Sequence, residues 1–413
     1  MRSDLDRLMQ EHNVDAILIT GAAMHNPAMV YMTGVVHVTG GDLIKPRGKP
    51  PVLYYNGMER DEAARTGLET RPYSVFPYRE LYKESGGDPG RLLALRYKRM
   101  LTDAGITHGR VVLYGMMDAG LAYSVFSLLR HELPEVQISG DLYEAFILEA
   151  MQTKEADEIE RIRRMGKITT GVVGRVAEWL SSHPSRDGVL VDGDGRPVTI
   201  GDAHARINLW LAEAGAENPE ATIFAIGRDA GVPHSIGNPA DLLRLGQPII
   251  FDIFPCEAGG GYFYDFTRTW CLGHATDEAQ RLYEDVLSTY HALESELALG
   301  ASTATIMRRA CELFEAQGHP TILSDPQTDI GFPHGLGHGV GLNIHERPWF
   351  RLQGPTVDSL QPGSVFTLEP GLYYPERDLG VRLENTYYAR PDGVFEILAD
   401  YPMDLVLPLR QKS

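Results

Sequence analysis

The chain has only three cysteines in 413 residues, Cys256, Cys271 and Cys311, in neither a CxxC pair nor a zinc-finger spacing. An odd number without a pairing pattern excludes a disulfide scaffold and suits a reducing compartment, so a cytoplasmic location is expected. No run approaches the ~18 uncharged apolar residues that a spanning helix needs, so no membrane partner is expected. The opening stretch MRSDLDRLMQEHNVDAILIT places acidic residues early, with no basic region ahead of an apolar core, and does not read as a signal peptide. Positive charge is also scarce. With 38 Lys and Arg against 56 Asp and Glu, the net charge of −18 argues against a nucleic-acid partner. A solvated acidic surface accounts for most of that excess.

What is present is apolar substance: 43% hydrophobic and 9% aromatic residues, enough for a well-packed globular protein. The length favours two domains. Residues 3–13 read as an opening helix, and DAILIT (15–20), PVLYY (51–55) and GRVVLYG (109–115) as strands, the last leading into helical AGLAYSVFSLLRHEL. Strands alternating with helices predict an α/β layered domain over residues 1–148. His25, His37 and His108 lie scattered in it without carboxylate partners and read as structural or surface residues. A second domain, 149–413, opens with a long helix. Thr153 is its expected cap, and Ile159, Ile162, Ile168, Val172, Val176 and Leu180 form its apolar stripe. The polar break at 185–203 contains DGDG, which reads as a turn because the later ligand positions of a calcium loop do not fit. Two rounds of helix, helix and strands then follow, with helices expected around 276–298 and 303–317.

Five residues interrupt or adjoin the strand-like runs of this second domain: Asp252 in IIFDIF, Asp265 in YFYDFTRTW, His338 in HGLGHGVGLNIHE, Glu369 in VFTLEPGLYY and Glu384 in GVRLENTYYA. An ionised carboxylate in an apolar interior is costly unless compensated. Two divalent cations would balance four carboxylates. Asp252 and Asp265 are joined through EAGGG, a Gly-rich hairpin that sets two carboxylates on neighbouring strands. The glycines around His338 predict a close backbone approach, while GxGxxG and HExxH registers both fail. An imidazole ligand favours manganese, iron, cobalt or zinc over calcium and magnesium. Pro370 and Gly371 fix where Glu369 points. Arg382, two residues from Glu384, shares its strand face and is expected to orient it or to hold a substrate carboxylate. His234, in AGVPHSIGN, reads from spacing alone as a loop residue.

These motifs, in this order, resemble those of the creatinase/aminopeptidase P/prolidase family (peptidase family M24), the "pita-bread" metallohydrolases. The resemblance covers residues 150–410, and the preceding region resembles the family's creatinase-type N-terminal domain. It implies an α/β chain whose C-terminal domain is a curved antiparallel sheet covered by helices. The implied activity is hydrolysis of Xaa-Pro bonds, as a dipeptidase or aminopeptidase, by a metal-bridging water or hydroxide. Two divalent ions are implied, manganese first, with cobalt, zinc or iron as alternatives. The resemblance assigns Asp252 to one metal, Asp265 and Glu384 to both, and His338 and Glu369 to the other, with Glu369 also handling protons. It implies that His234, His334 and His345 contact substrate or stabilise the gem-diolate, and that Tyr373 and Arg382 support the ligands. The implied partners are a proline-containing di- or oligopeptide and a second copy in a homodimer. The sequence departs from the family in a longer separation between the two Asp residues and in Asn343, where many members have Asp. Two other readings stay open: the same fold acting on a small non-peptide amide or other metabolite, and a non-catalytic binding module.

Overall fold

The computed structural model describes residues 4–354 and 357–409. The chain divides into two compact units: the first runs to Met151 and takes in Gly259–Gly261, and the second comprises Gln152–Ala258 and the chain from Tyr262 on.

The first unit is built on six strands, β1 (Ala16–Gly21), β2 (Gly41–Pro46), β3 (Val52–Tyr55), β4 (Glu69–Pro72), β5 (Gly109–Gly115) and β6 (Val136–Gly140), in the order β4-β3-β2-β1-β5-β6. β1 is parallel to β5 and antiparallel to β2. Its helices carry legible start signals. Asp88 accepts a hydrogen bond from Arg91 N to cap Pro89–Asp103, whose proline occupies the first turn. Asp118 caps Ala119–Glu132 in the same way. Ala94, Met100, Val125 and Leu129 from these helices pack against Leu18, Ile44 and Val111 of the sheet.

In the second unit the long helix spans Ala156–Ser182. Thr153 does not cap it. Glu155 does, in a reciprocal box with Glu158, because a longer carboxylate three residues ahead can satisfy the free N–H groups. Ile159, Ile162, Val172, Val176 and Leu180 are buried as expected, each contributing about 1.5–3 kcal/mol, whereas Ile168 is half-exposed and Met165 and Thr169 fill that face. The DGDG segment is a turn in which Asp192 Oδ1 accepts from Asp194 N and Arg196 N.

Two antiparallel layers hold the second unit's functional residues. One has Pro248–Ile253 between Ile223–Ile226 and Phe266–Ala275. The other runs Glu346–Phe350, Gly337–Gly339, Val365–Leu368, Asn385–Ala389, Phe395–Ile397. An antiparallel bridge between Thr267 and Glu384 links the two. Helices Asp277–Ser295 and Thr303–Ala316 cover the second layer through Tyr290, Leu293, Met307 and Phe314, packed with Phe366, Leu368 and Leu383. This is the helix-covered antiparallel architecture expected. Among the described residues no helix is long and apolar enough to cross a membrane.

Candidate metal centre

Strand register explains why the two aspartates meet. Asp252 lies opposite Thr267 on the neighbouring strand. Asp265, two residues earlier, immediately precedes that strand and shares Thr267's face by the two-residue period. The aspartates are therefore diagonal across the strand pair. Thr267 sits between them, fully buried, and its hydroxyl donates to Glu384 Oε2 at 2.7 Å. Sequence reasoning passed over Thr267, although its spacing from Asp265 already placed it on the same face.

His338 occupies the middle of the three-residue strand Gly337–Gly339. The glycines serve neighbouring protein and not a ligand. A Cβ on Gly339 would lie 2.0 Å from the Arg347 carbonyl oxygen, and one on Gly341 would meet the Glu346 carboxylate. His338 Nδ1 is 3.0 Å from the Gly339 carbonyl oxygen, an acceptor, so Nδ1 carries the proton and the Nε2 lone pair is left free. Nε2 lies 3.4 Å from Asp265 Oδ2 and 3.5 Å from Glu369 Oε1. Ligand atoms of Asp265, His338 and Glu384 all fall within 4.8 Å of one another.

Asp252 is fixed from the other side. Arg382 Nη2 donates to its Oδ2 at 2.5 Å, Nη1 donates to the Tyr373 hydroxyl at 2.7 Å, and Nη1 also reaches the Pro233 carbonyl at 3.2 Å. Arg382 is thus committed to Asp252 and makes no hydrogen bond to the Glu384 carboxylate, and its fork is not free for a substrate carboxylate. Since the Tyr373 oxygen accepts from Arg382, its own proton points to His334 Nε2, 2.9 Å away. His334 Nδ1 lies 2.6 Å from the Gly335 carbonyl oxygen, so both of its ring nitrogens are occupied.

The electrostatics show a site short of positive charge. Burial, the charge of Glu384 and that of Asp252 hold Asp265 well above the usual carboxylate range, and burial with Glu369 and Asp252 does the same to Glu384. Burial raises Glu369 to about 8, with the Asp252 charge adding to it. Burial pushes His338 down to about 3, with His345 adding to the effect, and His334 to about 3, with Arg382 adding. Arg382, 2% exposed, is the one buried cation that hydrogen-bonds a carboxylate of this cluster among the described residues; Arg268, also buried, reaches only the Glu384 backbone carbonyl. Asp252 Oδ1 and Glu384 Oε1 are enclosed without a hydrogen-bond partner among the described residues. Orphaned carboxylate oxygens beside an imidazole lone pair are the donor set of a transition-metal site, and a divalent ion fits it.

The five residues line the floor of a cavity of about 720 Å³. His234 and His345 are exposed residues lining it, and among the described residues no hydrogen bond engages either ring; His345 also stands edge-on to His338 at 4.3 Å between ring centroids. Behind His345, Glu346 is fully buried and paired with the buried Lys154, a contact across 192 positions that no local pattern signals. Asn343 accepts from Gly341 N through its backbone carbonyl, at 3.1 Å, in the turn leading to His345.

Comparison with known proteins follows the same lines. The sequence profile of metallopeptidase family M24 matches residues 160–391. A Xaa-Pro dipeptidase of Pyrococcus horikoshii is 30% identical over 389 residues, 93% of each chain. A putative dipeptidase of Bacillus subtilis, YkvY, is 32% identical over 205 residues, 49% of this chain and only 52% of that protein, so the match spans about half its length. Among solved structures, a dipeptidase from Pyrococcus horikoshii OT3 superposes with a TM-score of 0.73 at 21% identity, covering 98% of both chains, which shows a shared fold.

Proposed function

The chain belongs to metallopeptidase family M24, and we propose that it is a dinuclear Xaa-Pro peptidase, a dipeptidase or an aminopeptidase. One observation carries this reading: four carboxylates and one imidazole converge on a cavity floor with two carboxylate oxygens left unpartnered. Similarity to a Xaa-Pro dipeptidase along almost the whole chain supports the substrate class. We assign the catalytic domain to residues 149–413 and an N-terminal domain to 1–148. The three cysteines are free and buried, which suits a reducing cytoplasm.

Asp252, Asp265, His338, Glu369 and Glu384 would hold two divalent ions, with manganese the expected metal. When bound, such ions lower the pKa of water and polarise the scissile carbonyl. Two of them with Arg382 bring five positive charges against four carboxylates. The site therefore tolerates one further negative charge, the one that develops on a carbonyl oxygen under attack. Arg382 and Tyr373 keep Asp252 aimed at the cavity. Glu369 is the more open of the His338 neighbours, its side chain 17% exposed against 6% for Asp265, which suits it to pass a proton between water and the leaving proline nitrogen. His234 and His345, whose rings make no hydrogen bond among the described residues, would donate to the substrate carbonyl. His334, both nitrogens occupied, forms a fixed wall.

Replacing Glu369 by Gln tests this assignment: turnover of Xaa-Pro peptides should fall at least about 10²-fold with the fold retained by circular dichroism. A fully active variant would refute it.

A further inference from the structure

The first unit holds a second cavity, of about 300 Å³, lined by residues of that unit alone. β1, β3, β4, β5 and β6 run in one direction and β2 against them. The chain adds β2, β3 and β4 on one side of β1, then crosses to add β5 and β6 on the other. The order thus reverses at β1/β5, and open α/β sheets bind ligands beyond the carboxyl ends of their strands at such a reversal. The cavity lies there: Gly21 closes β1, Tyr73 follows β4 and Met117 follows β5.

Two charged groups meet this cavity with unused hydrogen-bonding capacity. Arg96 lays its guanidinium face on the Tyr73 ring, 4.4 Å from the centroid. It makes no hydrogen bond among the described residues, and its Nε is enclosed without a partner. A guanidinium held by its face keeps its in-plane N–H groups free for a carboxylate. Tyr73 is itself held, donating to Asp42 Oδ2 at 2.6 Å, while Tyr97 donates to Asp42 Oδ1 at 2.8 Å. Both Asp42 oxygens are therefore engaged, and the buried carboxyl forms no ion pair with Arg96. Glu59 also lines the cavity. Its Oε1 accepts from Thr39 N at 2.8 Å and from the Thr39 hydroxyl at 2.6 Å, but its Oε2 is enclosed and unpartnered. Glu59 and Arg96 do not pair with each other.

We propose that this cavity is a binding site for a small zwitterion, an α-amino acid, whose carboxylate meets Arg96 and whose ammonium meets Glu59. A molecule with one charge satisfies only one of the two groups; a zwitterion satisfies both. The inference stands on the first unit alone and is independent of the peptidase reading.

Calorimetric titration of the full-length protein with L-alanine, propionate and alaninamide tests it. L-alanine should bind, and each single-charge analogue should bind at least about tenfold more weakly. Glu59→Gln and Arg96→Met should each weaken L-alanine about tenfold, and His338→Ala, in the other unit, should leave it unchanged. No binding at about 10 mM L-alanine, propionate binding as tightly as L-alanine, affinity untouched by Glu59→Gln and Arg96→Met, or loss confined to His338→Ala would each overturn the proposal.

Discussion

Arg382 grips one oxygen of Asp252 at 2.5 Å and leaves the other without a partner. A buried carboxylate with one oxygen pinned by a cation and one orphaned is oriented but unsatisfied. The orphaned oxygen is where a metal ion would complete the site.

Arg382→Met should weaken divalent-metal affinity about 10–100-fold, the usual cost of losing a group that orients a ligand. Arg382→Lys should restore only part of it, since an ammonium cannot span Asp252 and Tyr373 as the guanidinium fork does. Competition with a fluorescent chelator reads both variants, and unchanged affinity in Arg382→Met would remove Arg382 from the site.

Tyr373→Phe deletes the hydroxyl that accepts from Arg382 and donates to His334. Buried Arg382 and half-buried His334 are left short, so stability should drop by about 1–3 kcal/mol in urea unfolding. Metal stoichiometry should stay the same, because Tyr373 touches no ligand carboxylate.

The metal-free protein should lose stability as pH rises from about 6.5 to about 8. Glu369 is raised from 4.5 to about 8, so the folded state binds its proton more tightly than the unfolded state and stability falls as that proton leaves. Asp265 and Glu384 act in the same direction. His334 and His338, lowered from 6.5 to about 3, act oppositely, but their contribution is complete once pH passes 6.5. Thermal unfolding across this window should show a falling Tm without metal and a flat one with saturating Mn²⁺. A rising metal-free Tm would contradict the electrostatic picture.

Lys154→Met should destabilise the protein by about 3–5 kcal/mol, because it strands the fully buried Glu346 carboxylate. The double variant Lys154→Met, Glu346→Gln should recover most of that loss, as seen by denaturant midpoint. An equal loss in both would mean that packing, and not charge, dominates there.

The five-residue string stood out because ionisable residues inside apolar strand runs have few innocent explanations, and the structure brings all five to one cavity. The β5 strand was readable to the residue, since GRVVLYG is bounded by its own glycines. The partners that orient the ligands were not. Arg382 meets Asp252 across 130 positions and Thr267 meets Glu384 across 117, and only strand pairing creates those contacts. The helix cap moved from Thr153 to Glu155 because a capping box competes successfully with a lone hydroxyl. The hydrogen bonds that hold both His334 ring nitrogens, to Tyr373 and to the Gly335 carbonyl, had no signal in the spacing either. Glu59 and Arg96 have no sequence signature at all.

The most direct test of the metal-centre reading is the initial rate of Ala-Pro hydrolysis by metal-stripped protein titrated with Mn²⁺. The account predicts no rate without metal and a rate that saturates at two equivalents per chain. Absence of hydrolysis at saturating Mn²⁺, or saturation at a single equivalent, would contradict it.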